Sequence, residues 1–204
     1  MPFAVITCGP ASAWIDRVRR ITNFSTGEIG TVLSEAFFRA GFDVLCLRGE
    51  GATAAAPPDV EVRGFSTNAA LAEALLGLER QPDIVLHAAA LSDFDVARIH
   101  GADGSAKLSS RSGEIQITLR PAKKILPGLR SRFPAARLIG WKYELEGSRD
   151  EAIERGAAQI REARTDACVI NGAAYGPGFG LLAPDGRIAH FPDKPSLAAH
   201  LSGL

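Results

Sequence analysis

The sequence predicts an α/β fold: a doubly wound, mainly parallel sheet covered by helices on both faces, with one projecting antiparallel hairpin. Apolar strand-like runs alternate with helix-like segments along the 204 residues, which is typical of parallel sheets. The run at 83–89 is continuously apolar, as strands buried on both faces are. Segment 97–119 instead ends in alternating apolar and polar residues, which indicates a half-exposed antiparallel strand outside the parallel core.

Each element of the predicted core follows from its periodicity and its boundary residues. The predicted strands are Phe3–Cys8, Asp43–Leu47, Val60–Phe65, Asp83–Ala89, Arg137–Tyr143 and Ala167–Ile170. Helices are predicted over Gly27–Ala40, Thr67–Glu79, Ala122–Arg132, Ser148–Arg164 and Lys194–Leu201. Thr67 and Ser148 are the expected N-caps, and Pro121 is expected to start its helix. Residues 49–58 have no periodicity and are predicted to form a loop.

Composition excludes several classes of protein. Hydrophobic residues make up 46% of the chain and charged residues 23%, which is typical of an ordered globular protein. The 23 Lys and Arg residues balance 23 Asp and Glu residues, so no general electrostatic surface for nucleic acid is indicated. No apolar run approaches the roughly 20 residues that span a bilayer. We therefore expect neither a nucleic-acid nor a membrane partner.

The sequence also predicts a single domain over residues 1–204 and a cytoplasmic location. Its first residues pass directly into a strand pattern and lack the basic segment of a secretory signal. Cys8, Cys46 and Cys168 each lie in or beside an apolar strand-like run, and their wide spacing gives no metal signature. They are expected to be buried core residues in a reducing compartment.

The turn at 21–30, between a strand and a helix, is the first candidate ligand site. Small residues that open a helix leave backbone N–H groups without intrahelical partners, and the positive end of the helix dipole favours phosphate there. Asn23 and Ser25 add neutral hydrogen-bonding side chains, and Gly27 and Gly30 supply the small residues. Close packing is the alternative role for a Gly-x-x-Gly helix start. The Gly-x-Gly-x-x-Gly dinucleotide fingerprint is absent after the first strand.

Further candidates follow other strands, where ligands gather in parallel sheets. Ala89 and Ala90 permit close approach of a flat base or ribose, and Asp93 is either a magnesium-ordering carboxylate or a turn aspartate. Asn171 can bind ribose or phosphate, or serve only as a turn former.

Three cations are candidates for contact with an anionic ligand. Arg19 and its neighbour Arg20 precede the Asn23 turn and could meet a phosphate or carboxylate, with solvent as the expected surroundings of at least one. Lys107 matters only if its glycine-bounded segment folds over a polyphosphate.

Taken together, these stretches resemble the phosphopantothenate–cysteine ligase family, in family order and across nearly the whole chain. Residues 18–30 match V-R-x-I-x-N-x-S-S-G-x-x-G, with threonine as the second serine. Residues 89–94 correspond to A-A-V-[AS]-D-[FY], residues 107–110 to K-I-x-[KS] and residues 140–144 to G-F-x-x-E, and Asn171 matches a late asparagine of the family.

The resemblance implies a Rossmann-like domain, a homodimer formed through the hairpin at 97–119, and a ligase of coenzyme A biosynthesis. Its substrates would be 4′-phosphopantothenate, cysteine and ATP or CTP with Mg²⁺. Asn23 would orient the activated acyl group, and Lys107 would neutralise phosphate charge. The implied nucleotide contacts are Ser25, Gly27, Gly30, Ala89, Ala90, Asp93, Trp141 and Asn171, with Asp93 also a candidate for indirect magnesium contact.

Two other functions remain open from the residues alone. A nicotinamide-dependent reductase would need the missing glycine fingerprint and, in the short-chain type, a Tyr-x-x-x-Lys pair, and neither Tyr143 nor Tyr175 has lysine four residues on. A non-catalytic or altered-substrate nucleotide-binding module is the second alternative. Its support is that residues 9–13 depart from the family's G-P-T-x-E start.

Overall fold

The computed structural model describes residues 1–101, 107–109 and 113–204. Its strands are β1 (Phe3–Cys8), β2 (Ser12–Trp14), β3 (Arg20–Thr22), β4 (Asp43–Gly49), β5 (Glu61–Phe65), β6 (Ile84–His87), β7 (Phe94–His100), β8 (Gln116–Pro121), β9 (Arg137–Tyr143), β10 (Ala167–Asn171), β11 (Phe179–Leu182) and β12 (Ile188–Phe191). Its helices are α1 (Glu28–Arg39), α2 (Asn68–Leu76), α3 (Leu126–Arg132), α4 (Arg149–Ala163) and α5 (Lys194–Ser202).

The main sheet has the order β12–β11–β10–β9–β6–β1–β4–β5. Its strands from β10 to β5 pair in parallel, whereas β11 and β12 form an antiparallel edge. From β1 the chain moves outward through β4 and β5, then returns to β6 on the other side of β1. This reversal creates a topological switch point between β1 and β6, where ligands bind in open α/β sheets. The predicted doubly wound sheet is confirmed.

Helices bury apolar side chains against both faces of this sheet. Leu71 and Leu75 of α2 pack with Phe133, which follows α3, in one core cluster. Leu33 and Phe37 of α1 pack with α5 in a cluster on the opposite face. The alternation of side chains along the central strands β1 and β6 sends successive residues into these two clusters, which explains why these strands are apolar on both faces.

The sequence predicted two N-caps correctly and one helix start wrongly. Thr67 Oγ1 accepts from the Ala70 N–H at 3.1 Å, and Ser148 forms a capping box with Glu151, so both predicted N-caps are confirmed. The start assigned to Pro121 is wrong, because Pro121 ends β8 and α3 begins at Leu126 with Pro127 in its first turn. The Ala122 N–H donates to Asp93 O at 2.9 Å, which keeps that segment attached to the hairpin.

The predicted antiparallel hairpin is present, and it extends beyond residues 97–119 at both ends. It pairs β7 with β8 from Phe94 opposite Pro121 to His100 opposite Gln116. Residues 102–106 and 110–112 of the predicted segment lie outside the described residues. Two short pairs were not predicted, β2 with β3 and β11 with β12.

Two further expectations concern the burial of the cysteines and the ability of the helices to span a membrane. Cys8, Cys46 and Cys168 are free and buried, as predicted. Within the described part of the chain, every helix is too short or too polar to cross a membrane.

His87 makes stability depend on pH. The ring is 6% exposed, its Nδ1 lies 2.9 Å from Thr7 Oγ1, and burial lowers the pKa of His87 to about 4. The ordinary histidine pKa is about 6.5, so the unfolded state binds more protons between these values. The free energy of unfolding should therefore fall as pH falls through that window, by about 2–3 kcal/mol at pH 4.5.

Urea unfolding at pH 7 and pH 4.5 checks this expectation. We expect His87→Gln to lose less stability between the two pH values than the wild type does. The matched control is His100→Gln, which removes an exposed imidazole and should keep the wild-type pH dependence. Equal pH dependence in the wild type and His87→Gln would contradict the assignment.

Candidate functional site

The site is built where β1 and β6 end, at the switch point of the sheet. The segments that follow these strands continue side by side. The Ala90 N–H donates to Gly9 O at 2.9 Å, and the Ala11 N–H donates to Ala90 O at 3.0 Å. Ala89 lies in the same segment, and its N–H donates to Thr7 Oγ1 at 3.3 Å. The predicted residues Ala89 and Ala90 are therefore held at the carboxyl edge of the sheet.

A short hairpin, β2 with β3, carries the chain from this edge to Asn23. The Asn23 side chain donates from Nδ2 to Leu91 O at 2.7 Å. This bond joins the turn before α1 to the segment that contains Ala89 and Ala90, which is 68 residues away along the chain. The structure thus brings together two of the sequence motifs that predicted the site.

Gly27 is required by its backbone conformation and by its neighbours. It is the N-cap of α1 with φ of 75°, in the left-handed region that favours glycine. A Cβ at this position would lie 2.8 Å from Ala52 Cβ and 3.0 Å from Arg48 Nη1. The turn therefore opens α1 as predicted, with its backbone close to the loop at 49–58.

Gly30 packs closely against β1. It is buried, and a Cβ there would lie 2.2 Å from Cys8 Cβ. Its N–H donates to Gly27 O at 3.1 Å. Gly30 therefore sets how closely α1 approaches β1, and the phosphate contact remains a prediction for Ser25, Gly27 and Gly30.

A cavity of about 310 Å³ lies beside this turn. Its lining includes hydroxyl side chains and the Asn23 amide, and Arg20 supplies the only charge among the lining residues that the structure describes. The lining residues are Pro10, Arg20, Thr22, Asn23, Phe24, Ser25, Thr26, Gly51 and Thr53. Gly51 and Thr53 come from a loop whose sequence gave no functional signal, and only the fold places them opposite Ser25.

The Arg19 guanidinium is bound by other groups of this chain. Its Nη1 lies 2.5 Å from Asp16 Oδ2 and also donates to Leu108 O at 3.2 Å, while the Leu108 N–H donates to Asp16 Oδ2 at 3.1 Å. Burial would raise the pKa of Asp16, but the N–H groups of Val18, Leu108 and Arg19 outweigh it and lower that pKa to about 2. This tie fixes the peptide next to Lys107. Sequence reasoning missed Asp16.

Asp93 forms an ion pair with Lys124, and its side chain is 59% exposed. In the described ranges, no group of three or more His, Cys, Asp or Glu residues could hold a metal ion. Ser110, the last residue of the 107–110 motif, lies outside the described residues.

Trp141 and Asn171 lie on the neighbouring strands β9 and β10. Trp141 is partly buried on the face of the sheet that α1 covers. Asn171 ends β10, and its Oδ1 is buried without a hydrogen-bond partner among the described residues. An orphaned buried acceptor is costly, so a donor on a ligand would complete this site.

Comparison with known proteins decides the family. Residues 3–192 match the model of the DNA/pantothenate metabolism flavoprotein C-terminal domain. The chain belongs to this family. The resemblance that the motifs predicted is therefore confirmed, and the Rossmann-like sheet with its small hairpin is the fold of this family domain.

Relatives of this family domain include longer proteins of different names. The chain is 30% identical over 177 residues to the coenzyme A biosynthesis bifunctional protein CoaBC of Bacillus subtilis, which covers 86% of this chain and 42% of that protein. It is 29% identical over 177 residues to a cysteine/cysteine sulfinic acid decarboxylase of an unknown prokaryotic organism, covering 86% of this chain and 47% of the relative. The chain thus spans less than half the length of these relatives.

Structural similarity extends over more of the family domain. The crystal structure of the DNA/pantothenate metabolism flavoprotein from Streptococcus pneumoniae superposes with a TM-score of 0.85 at 20% identity. The match covers 98% of this chain and 96% of that structure. At this identity the comparison establishes the fold.

Proposed function

We propose that the protein is a phosphopantothenate–cysteine ligase of coenzyme A biosynthesis. The single observation that carries this proposal is the bond from Asn23 to Leu91 O, which joins two family motifs at the switch point of the sheet. Membership of the family and a relative named for coenzyme A biosynthesis support it.

In the first step, the carboxylate of 4′-phosphopantothenate attacks the α-phosphorus of ATP or CTP, and pyrophosphate leaves. The product is an acyl-nucleotidylate, a mixed anhydride. In the second step, the amine of cysteine attacks the acyl carbon, the nucleoside monophosphate leaves with the electron pair of the broken C–O bond, and the nitrogen loses a proton. Neither step needs a nucleophile from the protein, so positioning and charge stabilisation supply the rate.

Five of the predicted residues have the following roles in this proposal. Asn23 uses one N–H on Leu91 O, and its second N–H and its Oδ1 can orient the acyl group. Ser25 and Gly27 face the phosphates at the start of α1, and Lys107 adds positive charge. Asp93 would contact Mg²⁺ through water, and the ion when bound would neutralise charge on the triphosphate.

The nucleotide base would lie between Trp141 and Asn171. The unpartnered Asn171 Oδ1 can accept only from a donor, and adenine and cytosine each carry an exocyclic amino group. Guanine presents a carbonyl oxygen at the corresponding position of its ring, as uracil does. These amino groups are compatible with ATP or CTP as the substrate, while guanine N1–H and uracil N3–H are donors as well, so the nucleotide screen below decides between the bases.

A homodimer formed through the β7–β8 hairpin belongs to the same proposal. Phe94 and Leu119 on this hairpin are 49% and 41% exposed, which leaves apolar surface for a second copy to cover. The free cysteines support a cytoplasmic location. Sedimentation equilibrium at micromolar concentration should give the dimer mass, and a monomer throughout would count against the hairpin interface.

The function is tested by pyrophosphate release across ATP, CTP, GTP and UTP, with and without phosphopantothenate and cysteine. We expect release with ATP or CTP that requires phosphopantothenate, and amide formation that also requires cysteine. Nucleotide binding without release under any condition would favour a non-catalytic module. Fluorescence titration with NADPH separates the reductase alternative.

A further inference from the structure

We propose that Arg20 binds a phosphate group of a substrate in the cavity beside the Asn23 turn. The inference rests on the proposed function for the identity of the substrates. The ligand chemistry is a phosphate with at least two charges, which a nucleoside triphosphate and the phosphomonoester of phosphopantothenate both carry.

The geometry of β3 directs Arg20 into the cavity. Side chains alternate along a strand, so Arg20 and Thr22 share a face and Ile21 takes the other. Both Arg20 and Thr22 line the cavity, together with Asn23 and Ser25. On the opposite wall, Arg20 Nη2 lies 3.7 Å from the position that a Cβ on Gly51 would occupy. A Cβ on Gly51 would also lie 3.0 Å from Pro10 Cγ, so a side chain at this position would crowd the wall that faces Arg20.

The charge of the cavity favours an anion. Among the described residues, its lining contains one cation, Arg20, and no aspartate or glutamate. None of the ion pairs formed by the described residues involves Arg20, whereas Arg19 next to it is paired with Asp16. The hydroxyls of Ser25 and Thr26 can donate to the same anion, whereas the Thr22 hydroxyl donates to Ala11 O at 2.9 Å. A cation with hydroxyl donors and without a carboxylate is the usual composition of a phosphate site.

Trp14 holds the guanidinium in place. Trp14 is the cross-strand partner of Arg20 in the β2–β3 pair, and Arg20 Cζ lies 5.7 Å from the centre of the Trp14 ring. A cation–π contact with an indole uses none of the N–H donors of the guanidinium, which stay available to a phosphate. Lysine at this position would keep the charge but would lose the planar set of donors.

The test measures binding by calorimetry with two pairs of ligands. One pair is ATP or CTP, whichever the wild type binds, against the corresponding nucleoside; the other is phosphopantothenate against pantothenate. We expect the wild type to prefer the phosphorylated member, and Arg20→Gln to weaken that preference about 10- to 100-fold in one pair. The pair in which the preference is lost identifies the source of the phosphate. Arg20→Lys should retain part of the preference for the phosphorylated ligand.

The matched control is Arg17→Gln, which removes an exposed cation from the same hairpin without changing the cavity lining. It should leave both preferences at the wild-type value. Wild-type protein that binds neither phosphorylated ligand would overturn the proposal, as would an Arg20→Gln variant with both preferences intact. Retained binding without ligase turnover would instead reject only the proposed function, so the two failures are distinguishable.

Discussion

Replacing Asn23 with alanine is expected to lower amide formation about 100- to 1,000-fold, the usual cost of removing an oriented donor from a developing charge. Asn23 is exposed, and its bond to Leu91 O orients the amide between the cavity and the segment after Ala90. The fold should tolerate the change, because the lost bond lies at the surface. Pyrophosphate release and amide formation are measured separately, since a group that orients the acyl carbon affects the two steps unequally.

Asn68 provides the matched control. Its Nδ2 donates to Ser92 O at 2.8 Å and its Oδ1 accepts from the Ser92 N–H at 3.1 Å, so it holds the same segment from the α2 side. Asn68 does not line the cavity. Asn68→Ala should lower the unfolding temperature while the rates of both steps stay within a few-fold of wild type. Equal rates in Asn23→Ala and wild type would remove Asn23 from the mechanism.

Substituting Gly30 with alanine is expected to reduce the free energy of unfolding by about 3 kcal/mol, at the upper end of what overpacking costs. The new methyl group would stand 2.2 Å from Cys8 Cβ and 2.3 Å from Cys8 Sγ. Relief would require α1 to move away from β1, and buried Leu33 and Phe37 of the same helix resist that movement. Urea unfolding measures the loss.

Gly128 in α3 is the control for the intrinsic effect of the substitution. A Cβ there meets nothing within 4 Å, so Gly128→Ala should be neutral or stabilising by up to about 1 kcal/mol through helix propensity. A Gly30→Ala variant as stable as Gly128→Ala would show that α1 does not depend on contact with Cys8. Nucleotide affinity in Gly30→Ala should fall only with the folded fraction if Gly30 packs rather than binds.

Periodicity was sufficient for the long elements of the fold. Six parallel strands and five helices have enough apolar residues at regular spacing to be predicted from the sequence, and Thr67 and Ser148 mark two of the starts by their capping chemistry. The pairs β2–β3 and β11–β12 were missed because strands of three or four residues contain too few repeats of a pattern. Their pairing depends on neighbours that the tertiary fold supplies.

The site was predicted as a set of motifs, and their arrangement required coordinates. Asn23 and Ala90 came from separate stretches whose proximity follows from the strand order. The pairing of Arg19 with Leu108 O spans 89 residues, and local sequence gives no sign of it. The ion pair between Lys124 and Asp93 could not be predicted from the sequence either, because both residues are exposed and carry no distinguishing local pattern.

The tie between Asp16, Arg19 and Leu108 has a consequence for the order of folding events. These bonds join parts of the chain about 90 residues apart, and closing so long a loop carries an entropic cost that earlier docking of β1 on β6 reduces. Residues 107–109, which include Lys107, should therefore gain their fixed position only at the end of folding. A partly folded chain would contain the parallel sheet yet lack the assembled centre, so catalytic competence should be the last property that a refolding molecule acquires.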